Sequence, residues 1–282
     1  MTIMSRRFSI ASAPSKALRW ASMLGSIIAL HSVILIAPKA EAQVGLEPMV
    51  IQTEVRRGQA QSVITVTNPS SQPMRVRVYS QPFTYEREAG FVTLAEDEND
   101  LTPYLQFSPR EFVIPPNERQ RVRVVGLLPP SLAETEYRAV IFTEALPESE
   151  QSASSTAGIQ TRIGSTVYFR QSAANPELSV VSAQWDAEAS KVQLLVTNAG
   201  EATARPNVKW TLQQAGESVA TGESGATTVI EGGDRLFQLP FDSETSGAIA
   251  PGTYELTGEL LWRLGSTEQS TESFSTTLTI SP

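Results

Sequence analysis

The chain has no cysteine in 282 residues and only one histidine, His31. Without cysteine there is no disulfide, no iron–sulfur cluster, no zinc finger and no thiol nucleophile. Histidine is the most frequent general base and transition-metal ligand, and His31 lies in an apolar N-terminal stretch that reads as a removable leader. What remains has neither the usual triad nor a common metal set, so the expectation is a protein that is not an enzyme and that takes no metal and no cofactor. A glycine-rich phosphate loop is missing as well, because Gly232-Gly233 after Glu231 reads as a turn. No stretch beyond the leader has a helical period. Disorder is excluded in turn, since 40% hydrophobic residues with four tryptophans can fill a core.

Residues 1–19 carry Arg6, Arg7, Lys16 and Arg19 and no acid, residues 20–37 are mostly apolar, and Ala40-Glu41-Ala42 follows. A basic start, an apolar middle and a small-x-small end are the parts of a secretory signal peptide. The expectation is export to the periplasm with cleavage after Ala42. An uncleaved anchor is the other reading of this 18-residue, mostly apolar stretch, against which stand the serines, His31 and the Ala-x-Ala site. Removing five bases and one acid leaves 17 bases and 29 acids, a net charge of −12. Such a surface is a poor partner for nucleic acid.

Beyond the leader the pattern is short strands. Val76 and Val78 alternate with Arg75 and Arg77, and Ile64 and Val66 alternate with Val63, Thr65 and Thr67. A period of two with polar residues on one side predicts half-buried strands. The run Asn68-Pro69-Ser70-Ser71-Gln72-Pro73 between them is a turn signal. Further strands are predicted at 111–114, 119–125, 136–144 and 159–170, with a mobile loop over 147–158. A second set follows at 178–185, 191–198, 207–214, 235–240, 253–262 and 273–280. Strands at this spacing predict an all-β protein of two immunoglobulin-like sandwiches. Their expected limits are 43–170 and 177–282, joined by a linker at 171–176. The halves echo one another. Val66-Thr67-Asn68 matches Val196-Thr197-Asn198, and Tyr137 and Tyr254 each open a late strand, as in a tyrosine corner.

Charge is uneven between the halves. Residues 43–175 carry 12 bases and 15 acids, and residues 176–282 carry 5 bases and 14 acids. Arginines recur at 56/57, 75/77 and 119/121/123, so the first half is the expected holder of an anionic group. The run Glu96-Asp97-Glu98-Asn99-Asp100 lacks the spacing, central glycine and distant glutamate of a calcium loop and reads as a solvated loop.

Four stretches together resemble the first domain of the PapD-like periplasmic chaperones, which assemble pili through the usher route. They are Arg57-Gly58 with the strands to Tyr79; Phe107-Ser108-Pro109 through Pro115-Pro116 to Arg123; the strand from Glu136 to Pro147; and Ile159 to Arg170. The resemblance implies a chaperone that lends a late strand to exported pilin-like or other β-rich subunits, by main-chain pairing and apolar side chains. It implies that an outer-membrane usher is a further partner and that there is no small-molecule substrate. The donor strand would be 157–167, with Ala157, Ile159, Thr161, Ile163 and Val167 on one side. The family's basic residues for the subunit's terminal carboxylate fall on Gln52 or Thr53 and on Thr166, none of them basic, so Arg56, Arg57 and Arg162 are the candidate substitutes. Glu136 and Arg170 match the family's interdomain salt bridge. The departures keep a second reading open, a non-catalytic tandem immunoglobulin-like structural or adhesive protein of the periplasm or cell surface.

Overall fold

Alternating apolar and polar residues become strands with one face turned inward, and they do so along most of the described residues. The computed structural model describes residues 44–146, 162–171, 173–241, 249–264 and 268–281. The predicted leader, the loop at 147–158, and Ala157, Ile159 and Thr161 lie outside these residues. The first part of the chain forms β1 (Gly45–Glu47), β2 (Val50–Glu54), β3 (Gln59–Thr67), β4 (Met74–Gln81), β5 (Phe83–Glu86), β6 (Gly90–Thr93), β7 (Leu105–Ser108), β8 (Glu111–Ile114), β9 (Arg119–Leu127), β10 (Glu136–Leu146) and β11 (Arg162–Arg170). The second part forms β12 (Leu178–Asp186), β13 (Lys191–Asn198), β14 (Asn207–Gln214), β15 (Glu217–Ser224), β16 (Asp234–Leu239), β17 (Gly252–Leu264) and β18 (Glu268–Ile280).

In the first sandwich a sheet ordered β1-β3-β9-β7 faces one ordered β2-β11-β10-β4-β8. The second packs β12-β13-β16 on β15-β14-β17-β18. The protein is therefore two immunoglobulin-like β-sandwiches. The predicted faces hold at Ile64, Val66, Val76 and Val78, which are buried, and the same alternation along β9 buries Val122 and Val124 and exposes Arg119, Arg121 and Arg123. Gly126 on β9 lies against the Phe169 ring so closely that a Cβ there would sit 2.2 Å from it. The ring occupies the space of the missing side chain and ties the two sheets of the first sandwich together.

The matched asparagines are equivalent in chemistry. Asn68 is buried, and its amide donates to the carbonyls of Gln72, Ile114 and Pro115 while its oxygen accepts from Ser70. Asn198 donates to the carbonyls of Ala202 and Val229 and accepts the N–H groups of Glu177 and Gly200. Each satisfies main-chain groups that a turn would otherwise strand. The tyrosine corners are equivalent too. Tyr254 donates to the carbonyl of Ala250 at 2.6 Å and Tyr137 to that of Ala133 at 3.5 Å, each four residues back.

Replacing Asn68 or Asn198 with alanine leaves several buried main-chain groups unpaired. Each substitution is expected to lower stability by roughly 2–4 kcal/mol, read as a shift in the urea unfolding midpoint. A shift below about 0.5 kcal/mol would refute the role given to that amide.

Candidate functional site

The second sheet of the first sandwich is where the sequence placed the donor strand. β11 pairs antiparallel with β10 along its whole length, Glu136 opposite Arg170 and Glu144 opposite Arg162. On its other side β2 runs parallel to it, but only from Thr166↔Val50 to Arg170↔Glu54. The Thr166 N–H donates to the Met49 carbonyl and the Arg170 carbonyl accepts from Val55, so these residues turn their main chain toward β2. Alternation in an antiparallel pair puts Arg162 and Gly164 on the same side. They precede the first residue of β11 that β2 reaches. Among the described residues, their main-chain groups on that side have no strand partner. The local cause is the chain's crossing from β1 to β2 at Pro48, which has no N–H to extend the ladder and whose carbonyl accepts the Ser165 hydroxyl.

The face of β11 corrects part of the expectation. Val167 and Phe169 are fully buried in the first core, with Ile163 half-buried against it. Val167 is flanked by Ile51 on one side and Ala139 on the other. It belongs to the protein's own core and has nothing to offer a partner's groove, because a period of two gives a face without saying what that face meets. On the opposite face the Arg162 guanidinium lies 4.4 Å over the Phe142 ring and donates to the Tyr79 hydroxyl. Gly164 lets Val140 and Phe142 lie flat across the strand, since a Cβ there would sit 2.7 Å from Val140. The other candidate cations are elsewhere. Arg56 meets Glu54 at 3.7 Å on an exposed surface, a contact of small energy, and Arg57 takes a left-handed turn conformation before Gly58. The structure does not bring Arg56, Arg57 and Arg162 together.

The junction between the sandwiches also differs from expectation. Glu136 and Arg170 are directly opposite, but they form no ion pair. Arg170 donates to the Ala174 carbonyl at 3.0 Å. Glu136, 1% exposed, accepts the Thr203 N–H of the second sandwich at 3.1 Å. The main-chain donor meets the carboxyl first, and the Glu136 N–H in turn donates to the Glu201 carbonyl. The ionic tie belongs to Arg138, which the sequence did not single out. Its guanidinium, 5% exposed, meets Asp97 at 2.7 Å and Glu231 at 2.5 Å, and donates to the Phe83 carbonyl. Asn99 donates to Glu231 as well. The acidic run at 96–100 is therefore not simply a solvated loop: its second residue is a buried counter-charge. Burial works against the Arg138 charge, but the two carboxylates outweigh it and hold the group above the ordinary arginine range. At Glu231 burial pushes the carboxyl up, and the Arg138 charge only partly offsets that.

A second contact comes from the β5–β6 hairpin, whose strands the sequence did not reveal. Arg87 pairs with Asp234, and Arg235 donates to the Glu86 carbonyl with its guanidinium over the Tyr85 ring. Phe83, fully buried, stacks on Phe91 at 5.2 Å and meets Tyr168 edge-on at 5.7 Å. Among the described residues no three acidic or histidine side chains gather to hold a metal. The outer face of β10 and β11 thus has two ends, one closed by the second sandwich at Arg138 and Tyr168 and one open at Phe142, Gly164 and Arg162.

No family model and no curated protein sequence matches the chain. Solved structures do. The class 5 fimbriae chaperone CfaA is 11% identical, with 83% of this chain covering 99% of that one at a TM-score of 0.50. The Pseudomonas aeruginosa CupB2 chaperone is 12% identical, covering 82% and 100% at 0.45. A chain in the Salmonella enterica SafA pilin complex with the SafB chaperone is 13% identical, covering 84% and 96% at 0.45. The likeness to CfaA shows the shared fold of two sandwiches.

Two predictions come from the junction. Burial pushes the Glu136 carboxyl up to about 7, with the Thr203 hydrogen bond opposing, Glu231 adding to the shift and Arg205 reducing it. An acid raised in the folded state destabilises it when ionised. The cost is absent below the unfolded value near 4.5, grows as pH rises and is complete above about 7, on the order of 3 kcal/mol. Stability measured by urea at pH 5 and pH 8 is expected to be higher at pH 5 by an increment that Glu136→Gln removes; an unchanged increment refutes the assignment. Arg138→Gln leaves Asp97 and Glu231 buried without their cation and is expected to cost roughly 3–5 kcal/mol, with a looser arrangement of the sandwiches in small-angle scattering.

Proposed function

We propose that the protein is a non-catalytic periplasmic assembly chaperone, which lends the open edge of β11 to exported, β-rich, pilin-like subunits. The observation that carries this reading is the half-covered edge: β2 pairs with β11 from Thr166 onward, while Arg162 and Gly164 have no strand on that side among the described residues. An unpaired edge invites another strand, and strand addition supplies affinity through the main chain and specificity through alternate side chains. The fold shared with a fimbrial chaperone and the leader read from residues 1–42 support the same reading. In this scheme Ala157, Ile159, Thr161 and Ile163 are the donor positions, Val167 is excluded as a core residue, and Arg162 guards the open end through its stack on Phe142. An outer-membrane usher is the further partner in the scheme. A tandem structural or adhesive protein would be expected to keep that edge fully covered.

The test is a substitution that removes one edge donor. Arg162→Pro deletes an N–H turned away from β10, while Arg162→Ala keeps the main chain and removes the side chain. Exported β-rich subunits are expected to co-purify from periplasm with the parent and with Arg162→Ala, and at least tenfold less with Arg162→Pro. Amide exchange at Arg162 and Gly164 is expected to be fast in the free protein and slow in the complex. Equal recovery with Arg162→Pro, or amides already slow in the free protein, overturns the reading.

A further inference from the structure

The loop that supplies Asp97 to Arg138 also lines an open cleft of about 370 Å³. Part of the cleft is apolar and aromatic. Pro103 and Tyr104 come from a single 3-10 turn (Thr102–Tyr104), Leu132 from the segment before β10, and Tyr137 from the start of β10. Tyr137 is buried and Tyr104 half-buried, and their rings meet edge to face with centroids 6.2 Å apart. The rim is acidic, formed by Glu96, Asp97, Glu98 and Asp100. Asp97 is occupied by Arg138 and the Asn99 N–H, and Asp100 accepts the Thr102 N–H. Glu96 and Glu98 are exposed and have no ion pair among the described residues.

The loop cannot spread these charges apart. The Arg138 N–H donates to the Asn99 carbonyl at 2.9 Å, the Arg138 carbonyl accepts from Leu101 at 2.9 Å, and the guanidinium holds Asp97 at 2.7 Å. Four carboxylates within five residues are thus fastened beside two aromatic rings, and Arg138 is already shared with Glu231. Like charges held together repel, and an incoming cation relieves that repulsion. Such a cation is also drawn to the face of an aromatic ring and by the net charge of the exported chain. A loop fixed in advance loses little freedom when it binds. Among the described residues these acids do not converge as a metal ion requires, whereas the apolar walls suit the aliphatic stem of a basic side chain. We propose that the cleft docks a lysine or arginine side chain of a partner polypeptide, with its stem on Pro103 and Leu132 and its charge between the Tyr104 ring and the carboxylates of Glu96 and Glu98. An open cleft leaves a small amine mostly in water, while a polypeptide brings further contacts of its own. The site stands apart from strand addition: the open end of β11 lies opposite Glu144, seven residues along β10 from Tyr137, or roughly 24 Å.

The test is calorimetric titration of the exported chain, residues 43–282, in low salt. The probes are a nine-residue peptide of alternating lysine and serine, the same peptide with glutamate in place of lysine, a linear five-carbon diamine, and calcium chloride. The lysine peptide is expected to bind and the glutamate peptide not to. Glu96→Gln combined with Glu98→Gln is expected to weaken the lysine peptide at least about tenfold. Tyr104→Ala weakens it several-fold, and Tyr104→Phe, which keeps the ring, leaves it unchanged. Glu188→Gln combined with Glu217→Gln removes the same charge from exposed positions of the second sandwich and is expected to change the affinity less than about twofold. Circular dichroism confirms that each variant is folded. Equal losses in the two double variants overturn the site, because long-range attraction alone would then account for binding. Failure of the lysine peptide to bind overturns it as well. So does diamine or calcium binding that depends on Glu96 and Glu98 while the peptide does not bind, which would assign the cleft to a small cation. None of these outcomes touches the strand-addition reading, which is tested at Arg162.

Discussion

A β-strand must pair its N–H and C=O groups on both sides or leave them to water, and β11 does one thing in each half. From Thr166 to Arg170 it lies between β10 and β2, and its inward side chains, Val167 and Phe169, belong to the first core. From Arg162 to Ser165 it has β10 alone among the described residues. The change comes where the chain crosses at Pro48. That switch determines which part of β11 is paired on both edges and which keeps one edge open, and it places Thr166 at the border between them. Rigidity on one side of the border supports the other. An edge held at one end by a packed core and along its length by β10 keeps its register, which an isolated strand would not.

Much of the fold was legible because its cause is local. Val76/Val78 against Arg75/Arg77, and Val122/Val124 against the arginines around them, declare their faces through a period of two. Asn68 and Asn198, and Tyr137 and Tyr254, were visible as repeated positions, and the hydrogen bonds explain the repeats. Other strands were hidden. β15 contains Gly222, and a Cβ there would sit 2.5 Å from the Trp210 ring, so its fit depends on a residue that reads as a strand breaker. The β5–β6 hairpin carries its aromatics among charges and closes on Gly90.

The site was less legible because its partners are remote in sequence. Arg138 sits in a strand that reads only as buried, and its two carboxylates are 41 and 93 residues away. Asp97 looked solvated inside an acidic run, as most such residues are. Glu136 and Arg170 were expected as an ion pair and lie opposite one another, but the donor that captures Glu136 is a main-chain N–H of the other sandwich, which no side-chain pattern announces. Arg205, whose two terminal nitrogens are buried without a hydrogen-bond partner, is a lone cation in a run of small residues that no pattern marked.

The Arg138 tie has a consequence for the conditions the protein tolerates. Ion pairs at a wet surface fade as electrolyte is added, because mobile ions gather around each charge, whereas pairs enclosed by protein are screened much less. With the guanidinium and both carboxylates almost wholly enclosed, this tie between the two sandwiches responds far less to salinity than the exposed contact of Arg87 with Asp234, which brine would loosen first.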